Sequence, residues 1–71
     1  MDLVRLLGKN VRKERLRQGR TQEEVAVEAG MTRSYLSDLE RGTRSPSVHA
    51  LGLIARALEV EAADLLRKTP D

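Results

Sequence analysis

The chain has 71 residues, the size of one domain, because independent domains rarely fall below about 50 residues. It contains no cysteine and a single histidine, His49, which excludes disulfides, thiolate metal sites and a histidine zinc cluster. The apolar fraction is 39% and the aromatic fraction only 1%, which favours packed helices over a small sheet. No apolar run has the length of a membrane span or of a signal-peptide core, so we expect a cytoplasmic protein.

Positive charge is concentrated in two parts of the chain. Residues 1–20 carry seven Lys or Arg and two acids, whereas residues 21–40 carry one Arg and five acids. Residues 41–58 add three Arg and no acid. Clustered bases on a small domain are typical of nucleic-acid binding, although a solvated helix face produces the same pattern.

Apolar periodicity and terminator residues divide the chain into five short helices. The expected ranges are 2–18, 22–29, 33–41, 48–60 and about 62–67. Polar N-caps are predicted at Thr21 (in a capping box with Glu24), Thr32 and Ser47. Glycines at 19, 30 and 42 mark helix ends, and Pro46 interrupts the chain between the third and fourth helices. We therefore expect one all-α domain over residues 1–71, with its core at about residues 5–67.

The fourth and fifth helices carry apolar residues beyond those needed for the core. One apolar face of the fourth helix is formed by positions 48, 51, 54, 55 and 58. Leu53 and Leu66 fall outside the inward-facing stripes. Because a chain of this size gains little stability margin from one core, we predict that Leu53 and Leu66 lie in a homodimer seam.

The second and third helices are joined by only three residues, Gly30 to Thr32. So short a turn requires a steep crossing, with small or apolar residues at the contact. Those residues are Val25, Ala26 and Ala29 on the second helix and Leu36 and Leu39 on the third. An ordinary helical hairpin is the alternative, but this combination of small residue, glycine and spaced leucines indicates a helix-turn-helix.

The opposite face of the third helix is polar and compact. It carries Arg33, Ser34, Ser37, Asp38 and Arg41. An α-helix fits the major groove of DNA, where Arg can bond guanine and Ser can donate or accept. We predict base contacts by Arg33, Ser34, Ser37 and Asp38. Asp38 has a second interpretation, in which it orients Arg33 or Arg41 instead.

The stretch TQEEVAVEAGMTRSYLSDLERGTRSPS, followed by LGLIARALEV, resembles the helix-turn-helix of the phage repressor and Cro type, the XRE family. Within that family, RSYLSDLERGTRSPS is most similar to the controller proteins of restriction–modification systems. The resemblance implies a lambda-repressor-like domain in which residues 22–29 support a recognition helix at residues 33–41. It also implies a homodimer that reads a near-palindromic operator in double-stranded DNA.

Carried over by position, the resemblance assigns roles to individual residues. It implies a phosphate contact by Gln22 at the start of the supporting helix, where the helix dipole favours anions. It places Thr32, Tyr35, Arg41 and Arg44 near the DNA backbone. It also implies a buried ion pair between Arg15 and Glu40.

Arg20 and Glu14 depart from the family pattern, which usually has apolar residues at these positions. Either the packing there is looser or Arg20 turns outward to a phosphate. Glu61 likewise occupies a usual Ser or Asp N-cap position.

Several residues keep two interpretations. Tyr35, the only aromatic residue, is either a DNA contact or a half-buried packing residue. His49 is expected to be a surface residue. Glu23, Glu24 and Glu28 either complement the dipole of their helix, which we favour, or form an acidic patch for RNA polymerase.

These features favour a sequence-specific transcription regulator with no cofactor and no small-molecule ligand. An antitoxin-like module that masks a protein partner is the alternative; it would usually carry an added partner-binding segment, which is not seen here. The sequence argues against an enzyme, because it has no His–carboxylate pair at helix spacing and no phosphate-binding glycine loop. Ser34 and Ser37 also have no base to activate them.

Overall fold

Five short helices account for most of the chain in the computed structural model, which describes residues 2–68. They are α1 (Leu3–Arg17), α2 (Gln22–Ala29), α3 (Arg33–Glu40), α4 (Val48–Leu58) and α5 (Ala62–Leu65). No strand is present in this range. The prediction of an all-α fold with five helices is confirmed. Residue 1 and residues 69–71, which the expected domain includes, lie outside the described residues.

The predicted N-caps satisfy the free N–H groups at three helix starts. Thr21 Oγ1 accepts from the Glu24 N–H at 3.1 Å, while the Glu24 carboxylate accepts from the Thr21 N–H at 2.8 Å. The bond from the Thr21 backbone lowers the pKa of Glu24. Thr32 and Ser47 accept from the N–H groups three residues later in the same way. The capping box and both single caps are therefore confirmed.

The turn between α2 and α3 depends on Gly30. Its φ of +74° lies in the left-handed region, which side chains disfavour. The next N–H, from Met31, returns to the Ala26 carbonyl at 2.9 Å and closes the end of α2. Thr32 can then begin α3 immediately, so the two helices are held close together as the sequence predicts.

The core is built from aliphatic side chains of all five helices. α1 packs against α3 and α5, and α2 packs against α3 and α4. The largest fully buried side chains are Val11, Val25, Leu36, Leu39, Ile54 and Leu58. α1 crosses α3 at Gly8, where an added Cβ would lie 2.3 Å from the Leu39 carbonyl oxygen. A residue without a side chain is therefore required at this crossing.

The C-terminal part of the fold differs from the prediction in three ways. α4 ends at Leu58 rather than at residue 60, because Glu59 takes a left-handed conformation there. Val48 was expected on the inward face of α4, but it is 87% exposed because it lies in the first turn, beside Leu3 and Leu66 at the edge of the core. α5 ends at Leu65 rather than near residue 67. The buried Asn10 amide donates to the Leu65 carbonyl at 2.9 Å and to the Arg67 carbonyl at 2.8 Å, which holds the chain after the helix. Glu61 is the N-cap residue of α5, but it makes no side-chain cap hydrogen bond.

Candidate nucleic-acid interface

The third helix presents two opposite faces with different chemistry. Leu36 and Leu39 are 0% exposed and fix α3 against α1 and α2. Arg33 and Ser34, on the first turn, are exposed to solvent. Within residues 2–68 the Arg33 guanidinium makes no hydrogen bond or ion pair. Both side chains are thus available to a ligand at the N-terminal end of the helix, which is the part that enters the major groove in helix-turn-helix proteins.

One turn further along α3, three polar side chains form a small network. The Arg41 guanidinium donates to Ser37 Oγ at 2.8 Å and pairs with the Asp38 carboxylate. The orienting interpretation of Asp38 is therefore the arrangement seen in the structure, with Arg41 as its partner. The pair neutralises a carboxylate that would otherwise repel phosphates. Base contacts by Ser37 and Asp38 stay predictions, and they require this network to open or to bind as a unit.

Tyr35 and Arg44 contact one another at the edge of α3. The Arg44 guanidinium carbon lies 4.9 Å from the centre of the Tyr35 ring, within the range of a cation–π interaction. Tyr35 is half-buried and packs against the core, so the packing interpretation describes its ring. Arg44 is exposed, and Thr32, whose hydroxyl caps α3, accepts from the Tyr35 N–H at 3.0 Å. The structure thus brings together three of the residues expected near the DNA backbone.

The start of α2 is tied to α1 and α3 by a buried ion pair. Arg15 Nε donates to Glu40 Oε2 at 2.7 Å, and a terminal nitrogen of Arg15 donates to Glu40 Oε1 at 3.0 Å. The two side chains are 8% and 2% exposed, and the Glu40 carboxylate raises the pKa of Arg15. Gln22 Nε2 donates to the same Glu40 oxygen at 3.0 Å. The residue expected to hold a phosphate is therefore positioned by the ion pair that joins the other two helices.

The Arg20 side chain is engaged within the fold, at the end of α4. Its guanidinium donates to the Ala57 carbonyl at 2.7 Å and pairs with Glu28, while Gln18 donates to the Leu58 carbonyl at 2.8 Å. The last carbonyls of a helix lack partners within the helix, and a cation also complements the negative end of the dipole. These demands at the end of α4 explain why a charged residue replaces the family's apolar one. The phosphate contact expected of Arg20 stays a prediction, and it requires these contacts to open.

The acidic residues of α2 are mostly engaged within the fold. Glu24 belongs to the capping box and Glu28 pairs with Arg20, which leaves Glu23 exposed. His49 is exposed in the first turn of α4, as expected.

The two leucines of the predicted dimer seam occupy different surroundings. Leu53 is half-buried and borders a depression with Glu28, Arg56 and Ala57. Leu66 is 37% exposed and borders a groove with Leu3 and Val48. The described residues do not bring Leu53 and Leu66 into one pocket.

Comparison with known proteins matches these features to one family. Residues 11–65 fit the helix-turn-helix family model. The chain belongs to the XRE-type helix-turn-helix family. The resemblance seen in the sequence is thus confirmed, and the protein is a DNA-binding transcription regulator. No helix among residues 2–68 is long and apolar enough to cross a membrane.

Relatives in this family cover almost the whole chain. The uncharacterized HTH-type transcriptional regulator y4dJ of Sinorhizobium fredii is 42% identical over 71 residues, which is all of this chain and 92% of that protein. The restriction–modification controller protein C.AhdI of Aeromonas hydrophila is 38% identical, with a TM-score of 0.85 over 90% of this chain and 96% of its own. The controller protein C.Esp1396I, solved as a tetramer with its natural 35 base-pair operator, is 32% identical, with a TM-score of 0.84 over 92% and 86% of the two chains.

Proposed function

We propose that the protein is a homodimeric, operator-specific regulator of the restriction–modification controller type. The observation that carries the proposal is the exposed pair Arg33 and Ser34, which have no partner among residues 2–68 and lie on a helix whose other face is fully buried. The likeness to C.AhdI and C.Esp1396I supports the controller assignment, and the operator complex of C.Esp1396I supports DNA as the partner.

Base and phosphate contacts are divided between two sets of residues in this proposal. Arg33, with Ser34, Ser37 and Asp38, faces base edges in the major groove, where Arg bonds guanine O6 and N7 together. Gln22, Thr32, Tyr35, Arg41 and Arg44 contact the backbone on either side and fix the register. The Tyr35 ring limits the positions of the Arg44 guanidinium, which lowers the entropy lost when that side chain binds a phosphate.

Two copies of α3 would enter successive major grooves about 34 Å apart on one face of the duplex. The seam that sets this spacing is formed by the C-terminal helices in our proposal, with Leu53 and Leu66 as its apolar contacts. A two-fold axis between the copies requires a near-palindromic operator, because each half-site meets the same protein surface.

The test begins with selection of bound duplexes from a random pool, which identifies an operator and its symmetry. Binding to operators mutated one base pair at a time is then compared for the wild type, Arg33→Ala and Arg44→Ala. We expect Arg33→Ala to cost about 1–3 kcal/mol and to relax the preference at one position in each half-site. Arg44→Ala is its matched control and should weaken binding to every sequence by a similar factor.

Two outcomes contradict the proposal. An equal loss on all operators for Arg33→Ala removes that residue from base reading. Selection that enriches no duplex, or a stoichiometry of one protomer per site, contradicts the dimeric operator-specific mode of binding.

A further inference from the structure

A shallow depression lies between the second half of α1 and the starts of α2 and α3. Its walls carry four arginines and one acid: Arg12, Arg15, Arg20, Arg33 and Glu23. Thr21 and Gln22 also line it. The depression therefore connects the face of α3 assigned to DNA with α1, whose basic residues the sequence pattern did not assign to individual DNA contacts.

The four arginines differ in what their charge contacts. Arg15 is neutralised by the buried Glu40 carboxylate, and Arg20 pairs with Glu28. Among residues 2–68, the guanidiniums of Arg12 and Arg33 have neither a hydrogen bond nor an ion pair. Two uncompensated cations and one exposed carboxylate, that of Glu23, thus line the same concave surface, which has an excess of positive charge.

Arg12 has no acidic neighbour at helical spacing on α1. On a helix, the side chains that meet residue 12 are those three and four positions away, which are Lys9 and Arg15 on the charged side and Gly8 and Leu16 on the other. None is acidic, so Arg12 forms no ion pair at these spacings on α1. An anion outside the chain would supply the partner that the Arg12 charge lacks among residues 2–68.

We propose that Arg12 binds a DNA backbone phosphate, so that α1 is a third element of the duplex interface beside α2 and α3. The proposal rests on the proposed function, because it assumes the same duplex that Arg33 and Gln22 contact. Arg12 shares one depression with both of those residues, and the long guanidinium side chain presents several N–H donors to phosphate oxygens. The contact carries no sequence information, so it acts on any duplex.

The experiment uses a mixed-sequence DNA duplex and therefore needs no operator. Binding of the full chain is measured between about 50 and 200 mM salt, where log K falls by about 0.9 per phosphate contact for each tenfold rise in salt. We expect Arg12→Gln to reduce the slope by about 0.9 per bound protomer and to weaken binding about 8-fold per protomer at about 0.1 M salt. Arg12→Lys should keep the slope, since the cation remains.

Lys68→Gln is the charge-matched control. Lys68 is exposed, has no partner among the described residues and lies after α5, outside the depression. Lys68→Gln therefore lowers the net charge by the same amount as Arg12→Gln without changing the depression. An unchanged slope for Lys68→Gln together with a reduced slope for Arg12→Gln supports the proposal. Equal slopes for the two variants overturn it and assign Arg12 to the solvated surface. Failure of the wild type to bind any duplex contradicts the proposed function instead.

The thermal unfolding temperature of Arg12→Gln should match that of the wild type, because Gln and Arg have similar helix propensities.

Discussion

Removal of the charge on Glu40 tests the buried ion pair that joins α1, α2 and α3. In Glu40→Gln the side chain keeps its shape, but the Arg15 guanidinium, 8% exposed, loses its counter-charge. At a charge separation of about 4 Å and an effective dielectric constant of about 20, Coulomb's law gives an attraction of about 4 kcal/mol between the two charges. Breaking one partner of a buried pair costs about 3–5 kcal/mol, in agreement with that value.

The expected loss is large relative to the stability of the fold. A single core in a chain of this length rarely supplies more than about 3–5 kcal/mol. We therefore expect Glu40→Gln to be largely unfolded at 25 °C, as measured by far-UV circular dichroism during urea denaturation. The dependence of the free energy of unfolding on urea concentration is taken from the wild type. In a thermal experiment, each kcal/mol lost corresponds to a melting temperature lower by about 4–8 °C.

The ion pair of Glu14 and Arg17 on the same helix provides a matched control. The Arg17 side chain is 69% exposed, and exposed pairs contribute below about 1 kcal/mol, so Arg17→Gln should unfold almost as the wild type does. A loss below about 1 kcal/mol for Glu40→Gln as well would refute the reasoning. It would mean that water reaches the Arg15 guanidinium despite its burial.

Two further perturbations follow from local geometry. Gly8→Ala places a Cβ 2.3 Å from the Leu39 carbonyl oxygen and should lower the free energy of unfolding, measured by urea denaturation, by about 1–3 kcal/mol or more. Gly52→Ala has open space around the new Cβ and should stabilise α4 by about 0.5–1 kcal/mol. Equal effects of the two substitutions would place the α1–α3 crossing elsewhere. Because the capping box lowers the pKa of Glu24 below its ordinary value of 4.5, the stability it adds is present above that pH and is lost as the pH falls through the lowered pKa. The stability difference between the wild type and Glu24→Gln should therefore shrink on acidification, and a difference that grows would contradict this assignment.

Local signals in the sequence were sufficient for the number and the starts of the helices and for the division of α3 into a buried and a polar face. Thr21, Thr32 and Ser47 are N-caps that act within four residues of themselves, so their hydrogen bonds follow from the chain alone. The periodicity of Leu36 and Leu39 likewise separates the buried face of α3 from its polar face.

Contacts between distant segments were not predictable in the same way. Asn10 reaches carbonyls 55 and 57 residues away, and Arg20 reaches the end of α4, 37 residues away. Such partners depend on how the helices pack, and helical periodicity contains no information about them. Arg12 is an intermediate case: the absence of acids at its helical neighbours is visible in the sequence, but its place beside Gln22 is visible only in the fold.

The arrangement around Glu40 indicates that the ion pair serves orientation more than stability. Replacement of both partners by apolar residues, as in Arg15→Met with Glu40→Leu, often leaves a protein as stable as before, because two desolvation penalties disappear with the attraction. Here, however, Glu40 Oε1 also accepts from Gln22 Nε2, so the double variant frees the side chain expected to hold a phosphate. We therefore expect a folded double variant with weaker DNA binding. Unchanged binding in that variant would show that Gln22 is oriented by the helix start alone.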